Sequence, residues 1–168
     1  MQIDERTYYE EEQRMESRWI WFFFAFFFIS ILGIGIGILL NEPAEWRIVL
    51  LVLGIIVLSD TGVLLLFRSL KLEIAISKKG FHYNFFALFS NKGTIEWNEI
   101  EKISLTKSPY RSYGKKYSFK NGQVFTMNTK MGVKMDLKNG RKKFFSVKDI
   151  DDFRSSYKKL ELPLILEG

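Results

Sequence analysis

The chain has no cysteine and a single histidine, His82, among its 168 residues. Without cysteine there is no disulfide framework, no thiolate nucleophile and no thiolate ligand for a metal. A single histidine excludes most zinc sites and disfavours acid–base chemistry centred on histidine. His82 itself stands between Phe81 and Tyr83 in an alternating stretch, which indicates a structural histidine on a strand.

The motifs of common enzyme classes are missing as well. The sequence contains no Walker-type phosphate loop, no dinucleotide fingerprint, no HExxH and no nucleophile elbow. Its acidic pairs, Glu99/Glu101 and Asp151/Asp152, fall in a predicted turn and at a predicted helix start, where solvation and capping explain them. We therefore expect no catalytic residue, no metal site and no cofactor, and we do not expect an enzyme.

Two long apolar runs dominate the first half of the chain. The first, Trp19 to Leu40, carries no charge over 22 residues, and the second, Ile48 to Phe67, carries only Asp60 over 20 residues. A hydrocarbon core about 30 Å thick is crossed by about 20 helical residues. The sequence therefore predicts a transmembrane helical hairpin over residues 19–67, with spans at 19–40 and 47–67.

The charges on either side of this hairpin are unequal. Residues 1–18 carry a net charge of −3 and residues 68–168 a net charge of +11. The spacing of Glu10 and Arg14 predicts a short cytoplasmic juxtamembrane helix within residues 1–18. Basic residues flank both outer ends of the hairpin, whereas its connecting turn holds only Arg47. Because positive residues stay on the cytoplasmic side, both termini are predicted to be cytoplasmic.

Small and polar residues mark possible contacts of the two spans. Gly33 and Gly37 form a GxxxG pattern with Ser30 near the same face, which lets two helix backbones approach closely. This groove either packs against the second span of the same chain or forms a homodimer face. An ionisable residue inside a span marks a function by default, so we interpret Asp60 as a protonated side chain bonded to Ser30 or to a partner helix.

From Lys71 onward the apolar pattern changes to a period of two. Residues 131–137 alternate clearly and run into Lys138-Asn139-Gly140-Arg141, where Asn-Gly supplies the positive φ of a hairpin turn. Residues 107–122 are interpreted as a long excursion or two short strands. A final helix is predicted after an N-cap at Asp149. The fold class is therefore a membrane hairpin followed, over residues 68–163, by a mainly-β domain of about seven antiparallel strands with a C-terminal helix.

This layout resembles bacterial membrane proteins that carry a PH-like domain. The resemblance lies in residues 93–103 (GTIEWNEIEKI) and 132–144 (GVKMDLKNGRKKF), which are similar to paired strands of that family. It covers roughly Phe67 to Leu160 together with the hairpin. It implies a strongly bent sheet of seven strands closed at one end by the helix, localisation to the bacterial cytoplasmic membrane, and no catalytic residues.

Basic residues in two predicted loop regions are the best candidate binding residues. In PH domains, loops of this type meet phosphorylated headgroups, and a domain tethered to an anionic leaflet gains about 1 kcal/mol for each cation near the surface. The seven residues are Lys115, Lys116, Lys120, Lys138, Arg141, Lys142 and Lys143.

Two functions of different class follow from these features. One is a non-enzymatic binding or scaffold module that docks on anionic lipid headgroups or on a protein partner. The other is a subunit of a membrane assembly, in which the hairpin joins a homo-oligomer or another membrane protein. Nucleic acid is disfavoured, because no platform of interleaved aromatic and basic residues is evident.

Overall fold

The computed structural model describes residues 6–15, 18–41, 46–87, 89–161 and 166–167. Its contacts divide these residues into two units. The helical unit contains the described residues between Arg18 and Arg68. The β unit contains the described residues up to Met15 and those from Ser69 onward.

The helical unit consists of two helices, α1 (Arg18–Asn41) and α2 (Trp46–Ser69). Each has 24 residues, which at 1.5 Å per residue extend about 36 Å. Both are long and apolar enough to cross a membrane, and only 6% of each apolar window is buried. The predicted helical hairpin is confirmed, and its helices extend one or two residues beyond the predicted spans.

The first strand precedes this hairpin, at β1 (Thr7–Arg14), and pairs antiparallel with β2 (Lys71–Ser77). The helix predicted within residues 1–18 is therefore wrong for this segment. The buried side chains are Tyr9 and Gln13, whereas Glu10 and Glu12 are exposed. The spacing of Glu10 and Arg14 indicated a helix. The segment instead forms a strand that buries Tyr9 and Gln13 on one face and pairs with β2, which follows the hairpin.

The β unit contains two sheets. The first has the order β1-β2-β3-β4 and is antiparallel throughout, with β3 at Gly80–Phe86 and β4 at Ser90–Glu96. The second has the order β10-β5-β8-β9-β7-β6. Its strands are β5 (Ile100–Lys107), β6 (Tyr113–Ser118), β7 (Gly122–Met127), β8 (Met131–Leu137), β9 (Lys142–Val147) and β10 (Leu166–Glu167).

The prediction of about seven antiparallel strands in residues 68–163 is corrected in its pairing. The described residues of that range hold eight strands, β2 to β9, and β1 and β10 lie outside it. Strand β9 pairs parallel with β7, and β5 pairs parallel with β10. Residues 107–122 contain β6, and the strand that follows returns to the free side of β9. Alternation along a strand reveals which face is buried but not which distant strand lies beside it.

The predicted β8–β9 hairpin and the terminal helix are confirmed. Gly140 has the positive φ of +78° that the turn between β8 and β9 requires. Helix α3 (Ile150–Lys158) begins after Asp149, whose side chain accepts a hydrogen bond from the Asp152 backbone N–H. Its face packs on the core through Phe153 and Tyr157, and this burial raises the pKa of the Tyr157 hydroxyl to about 12.

Aromatic rings from both sheets fill the core. The ring of Phe145 lies 4.8 Å from Phe81, 4.9 Å from Tyr83 and 5.0 Å from Phe125, centroid to centroid. On the helix side, Tyr9 meets the edge of Phe153 at 5.3 Å. Strand β1 therefore contributes directly to the same core as the strands that follow the hairpin.

Polar contacts tie β1 to β9 and to the start of α3. The buried Gln13 amide donates to the Ser146 carbonyl at 2.7 Å and accepts from the Ser146 hydroxyl at 3.0 Å. The Glu11 carboxylate accepts the Lys148 backbone N–H at 2.8 Å. It also accepts the Tyr9 hydroxyl, whose pKa is raised mainly by burial and then by this carboxylate. The buried Gln13 side chain thus bonds β1 to β9 through both its donor and its acceptor.

These contacts predict that the β unit depends on β1. Arg14 and Lys71 are register partners, about 5 Å apart between Cα atoms, so a linker of about six Gly and Ser residues in place of residues 16–68 closes the sheet. We expect this variant to be soluble and to unfold cooperatively. A fragment of residues 69–168 loses the burial of Tyr9 and both hydrogen bonds between Gln13 and Ser146, and its Tm should be lower by more than about 10 °C. Equal Tm values in calorimetry would contradict this dependence.

Candidate functional site

A cleft of about 490 Å³ opens between the β6–β7 turn, the β8–β9 turn and the first residues of β7 and β9. Its lining combines cations, aromatic rings and glycines without a carboxylate. The lining residues are Tyr117, Phe119, Gly122, Gln123, Gly140, Arg141, Lys142 and Lys143.

The parallel pairing of β7 with β9 positions the cleft. Gln123 and Lys143 are register partners, so the first residues of both strands lie at the same end of the sheet. Gly122 lies against the backbone of β9. A Cβ atom on Gly122 would lie 1.9 Å from the Lys142 carbonyl oxygen. Its φ of +64° also favours glycine. The close approach of the two strands therefore requires glycine at this position.

Three cations converge on the cleft without a compensating acid. In the part of the chain that the structure describes, no ion pair is formed by Arg141, Lys142 or Lys143. The side chain of Lys143 is positioned by Tyr83 of β3. Its ammonium donates to the Tyr83 hydroxyl at 3.0 Å and lies 4.8 Å from the centre of that ring. The geometry is suited to binding an anion by charge and hydrogen bonds.

The other four predicted basic residues do not line the cleft. Lys115 lies over the Phe125 ring at 5.6 Å, and Lys116 lies over the Tyr110 ring at 5.2 Å. Lys120 is exposed in the β6–β7 turn, and Lys138 is exposed in the β8–β9 turn. The structure therefore brings three of the seven predicted residues together and leaves the rest on neighbouring surfaces.

Two aromatic side chains at the rim were missed by sequence reasoning. Phe119 is fully exposed at 100%, and Tyr117 is 71% exposed, with their rings 6.2 Å apart. The available signal was a pair of aromatic residues in an otherwise polar excursion. That signal becomes informative only once β6 and β7 are known to form a hairpin beside the cations.

The start of β9 lies against the middle of the first sheet. Glu11 and Gln13 of β1 contact residues 148 and 146, whereas Lys143 at the start of β9 contacts Tyr83 of β3. Strand β9 therefore crosses the first sheet from β3 to β1. The chain leaves the β unit after Met15 and returns at Ser69, and we call this the exit end. Tyr83 pairs with Ile74, and the Lys71–Phe86 pair lies further along the same strands, at the exit end.

Two cations at the exit end form ion pairs. The Lys71 ammonium lies 2.7 Å from Glu12 and 2.6 Å from Glu73, and Arg14 also pairs with Glu12. The hydrogen bonds from Lys71 and then Arg14 lower the pKa of the Glu12 carboxyl, and those from Glu12 and Glu73 raise the pKa of Lys71. The charges of Lys71 and Arg14 are therefore used within the first sheet.

In the helical unit, the predicted glycine groove does not contact α2. A Cβ atom on Gly33 or Gly37 would meet nothing within 4 Å in the described residues. Gly35 instead approaches α2, where its Cβ would lie 2.7 Å from Leu53 Cδ1. Two residues rotate a helix by about 200°, so the face of Gly33 and Gly37 points away from α2.

Asp60 has no partner within the described residues of its own chain. Its Oδ2 atom is shielded from solvent and accepts no hydrogen bond there. The Ser30 hydroxyl donates to the Phe26 carbonyl of its own helix at 2.8 Å. Ser59 and Thr61 do the same with Ile55 and Val57. The bond between Asp60 and Ser30 that the sequence indicated is therefore not formed within the described residues.

His82 is buried in a structural role. Its Nε2 lies 2.8 Å from the Ser77 hydroxyl and its Nδ1 lies 2.9 Å from the Thr94 hydroxyl, which locks the ring between β2 and β4. No group of three or more metal-binding side chains occurs within the described ranges. Glu99 accepts the Glu96 backbone N–H at 3.2 Å, as the capping interpretation of this acid predicted.

The comparison with protein families found one match, to the bacterial PH domain, over residues 7–161. This range includes β1 before the hairpin and extends past the end of α3. No curated protein and no solved structure matches the chain.

Two glycines provide a matched test of the close approach that builds the cleft. Gly122 and Gly140 both have positive φ, but only at Gly122 would a Cβ meet backbone, since nothing lies within 4 Å at Gly140. Gly140→Ala should lower the free energy of unfolding by about 1 kcal/mol through backbone strain alone. Gly122→Ala should lower it at least about twice as much, because β7 and β9 must separate. Equal losses of unfolding free energy for the two variants, measured by chemical denaturation, would show that β7 and β9 do not approach each other closely at Gly122.

Proposed function

Since the chain belongs to the bacterial PH domain family, we propose that it is a membrane-anchored, non-enzymatic binding module that binds anionic lipid headgroups in the cleft. The observation that carries this proposal is the group of three cations that line the cleft without an acidic partner among the described residues. A phosphate-bearing headgroup supplies the charge that the lining lacks.

The membrane topology proposed for the hairpin follows from the pairing of β1 with β2. These strands are hydrogen-bonded neighbours on either side of the two helices, so they must lie on one side of the bilayer. That requires two crossings or none, and the length and apolarity of α1 and α2 favour two. The excess of basic residues at the outer flanks assigns this side to the cytoplasm of a bacterial inner membrane.

Short connections favour lipid over a distant ligand. Two residues separate Met15 from α1, and only Leu70 separates α2 from β2. Two residues extend at most about 7 Å, so the exit end has to remain near the headgroup layer of a membrane that the helices cross. An anionic leaflet contributes about 1 kcal/mol for each Lys or Arg near its surface. Phe119 and Tyr117 at the rim of the cleft are aromatic side chains of the kind that membrane interfaces favour.

The lipid proposal predicts a selective loss of affinity. The full-length protein in neutral detergent should bind dihexanoyl phosphatidic acid in calorimetric titration and should not bind dihexanoyl phosphatidylcholine. Arg141→Ala with Lys142→Ala should weaken this binding by about 30-fold, the equivalent of about 2 kcal/mol. Lys143 is left in place because it is bonded to the core residue Tyr83. Higher salt should weaken binding in the same direction.

Lys78→Ala with Lys79→Ala is the matched control, since both lysines are exposed in the β2–β3 turn away from the cleft. The control pair should retain the affinity of the unmodified protein. Equal affinity for the two lipids, or an undiminished affinity after the cleft substitutions, would contradict lipid binding and direct the search to a protein partner of the same cationic surface.

A second candidate function is self-association through the helical unit. It is supported by two observations on the described residues: the outward face of Gly33 and Gly37 is open, and Asp60 Oδ2 is shielded without a partner. Small residues allow close helix packing, and an unsatisfied carboxyl inside a span favours a donor from another helix. A membrane assembly would supply both.

Self-association has its own matched test. Gly33→Leu with Gly37→Leu should weaken oligomerisation in detergent by about tenfold, measured by energy transfer between labelled copies, and Asp60→Ala should act in the same direction. Gly35→Ala is the control, because its methyl group meets Leu53 within the chain and should alter the hairpin rather than an interface. Unchanged energy transfer in both Gly33/Gly37 and Asp60 variants would leave no support for this function.

A further inference from the structure

The turn between β3 and β4 presents an apolar surface that the core does not use. Phe89 is 84% exposed and Phe86 is 40% exposed. Within the described part of the β unit, the other exposed large aromatic side chains are those at the rim of the cleft, Tyr117 and Phe119. Two neighbouring exposed phenylalanines in one turn are unfavourable in water and indicate an apolar environment.

The register of the first sheet places this turn at the exit end. Arg14 pairs with Lys71, and Lys71 pairs in turn with Phe86. Phe86 is also the partner of Ser90, the first residue of β4. The ends of all four strands therefore form one row, and this row includes the last strand residue before the hairpin and the first strand residue after it.

A hydrogen bond fixes the turn to the return point of the chain. The Ser69 hydroxyl donates to the Ala87 carbonyl at 3.2 Å. Ser69 is the last residue of α2 and the first of the β unit after the hairpin. The turn is therefore bonded to the residue at which the chain re-enters the β unit.

We propose that Phe86 and Phe89 insert into the interfacial layer of the bilayer beside the end of α2. This rests on the membrane crossing proposed above, but it does not depend on headgroup binding in the cleft. Lipid is the proposed environment of the turn because the turn is bonded to Ser69, the residue at which the apolar helix α2 ends. Only 6% of the apolar window of that helix is buried within the protein. A protein partner would have to fit between the turn and the bilayer.

The absence of cysteine makes a direct test possible. Phe89→Cys in the full-length protein is labelled with the environment-sensitive dye NBD and reconstituted into neutral phosphatidylcholine vesicles. The dye emission should shift to shorter wavelength and should be quenched severalfold more strongly by doxyl-labelled lipid than by aqueous iodide. Lys79→Cys is the matched control, since Lys79 is exposed in the β2–β3 turn at the other end of the same strands, and it should show the opposite preference.

Each result decides the proposal. Emission like that of the Lys79 control, or iodide quenching above lipid quenching, would overturn it. A shifted emission that neither quencher reaches would also overturn it, because a protein surface would then cover the turn. Ser90→Cys, one residue further along and exposed, reports the same position if Phe89→Cys does not fold. Neutral lipid separates this test from the anionic-lipid titration of the cleft, so either proposal can fail alone.

Discussion

The structure depends on one pairing, that of β1 with β2 across an interposed helical hairpin. Residues 7–14 and 71–77 form adjacent strands although the two helices separate them in the chain. Neither half of the β unit is complete alone, since Tyr9 completes the core against Phe153 and Gln13 completes the polar contacts of Ser146. The pairing also requires the residues before α1 and after α2 to share one side of any membrane that the helices cross.

The same pairing organises the exit end. The register from Arg14 through Lys71 to Phe86 brings the β3–β4 turn to the end at which the chain leaves and re-enters the β unit. The contacts of Glu11 and Gln13 with residues 148 and 146 set β1 against β9, and Lys143 at the start of β9 contacts Tyr83 of β3. The cations of the cleft and the exposed aromatic side chains of the turn are thus held by the same two sheets, and an interface between lipid headgroups and hydrocarbon favours both kinds of side chain.

The distribution of ion pairs separates structural from available charge. Lys71 and Arg14 are neutralised by Glu12 and Glu73, and these pairs stabilise the edge of the first sheet. Arg141 and Lys142 have no such partner in the described residues. A net charge of +11 on residues 68–168 would by itself indicate only a basic surface, and it is the parallel pairing of β7 with β9 that concentrates three of these cations around one cleft.

Features with a local cause can be predicted from the sequence alone. An apolar run long enough for a bilayer specifies each helix, Asp149 specifies the start of α3, and Asn139-Gly140 specifies the β8–β9 turn, because hydropathy, capping and positive φ act within a few residues. Three features arise only in the folded structure: the strand at residues 7–14, the parallel pairing of β7 with β9, and the position of Phe119 and Arg141 in the lining of one cleft. Those arrangements join segments far apart in the chain, and alternation identifies a buried face without identifying its neighbour. The polar residue Gln13 shows the limit most clearly, since it is buried only because Ser146 is there to bond it.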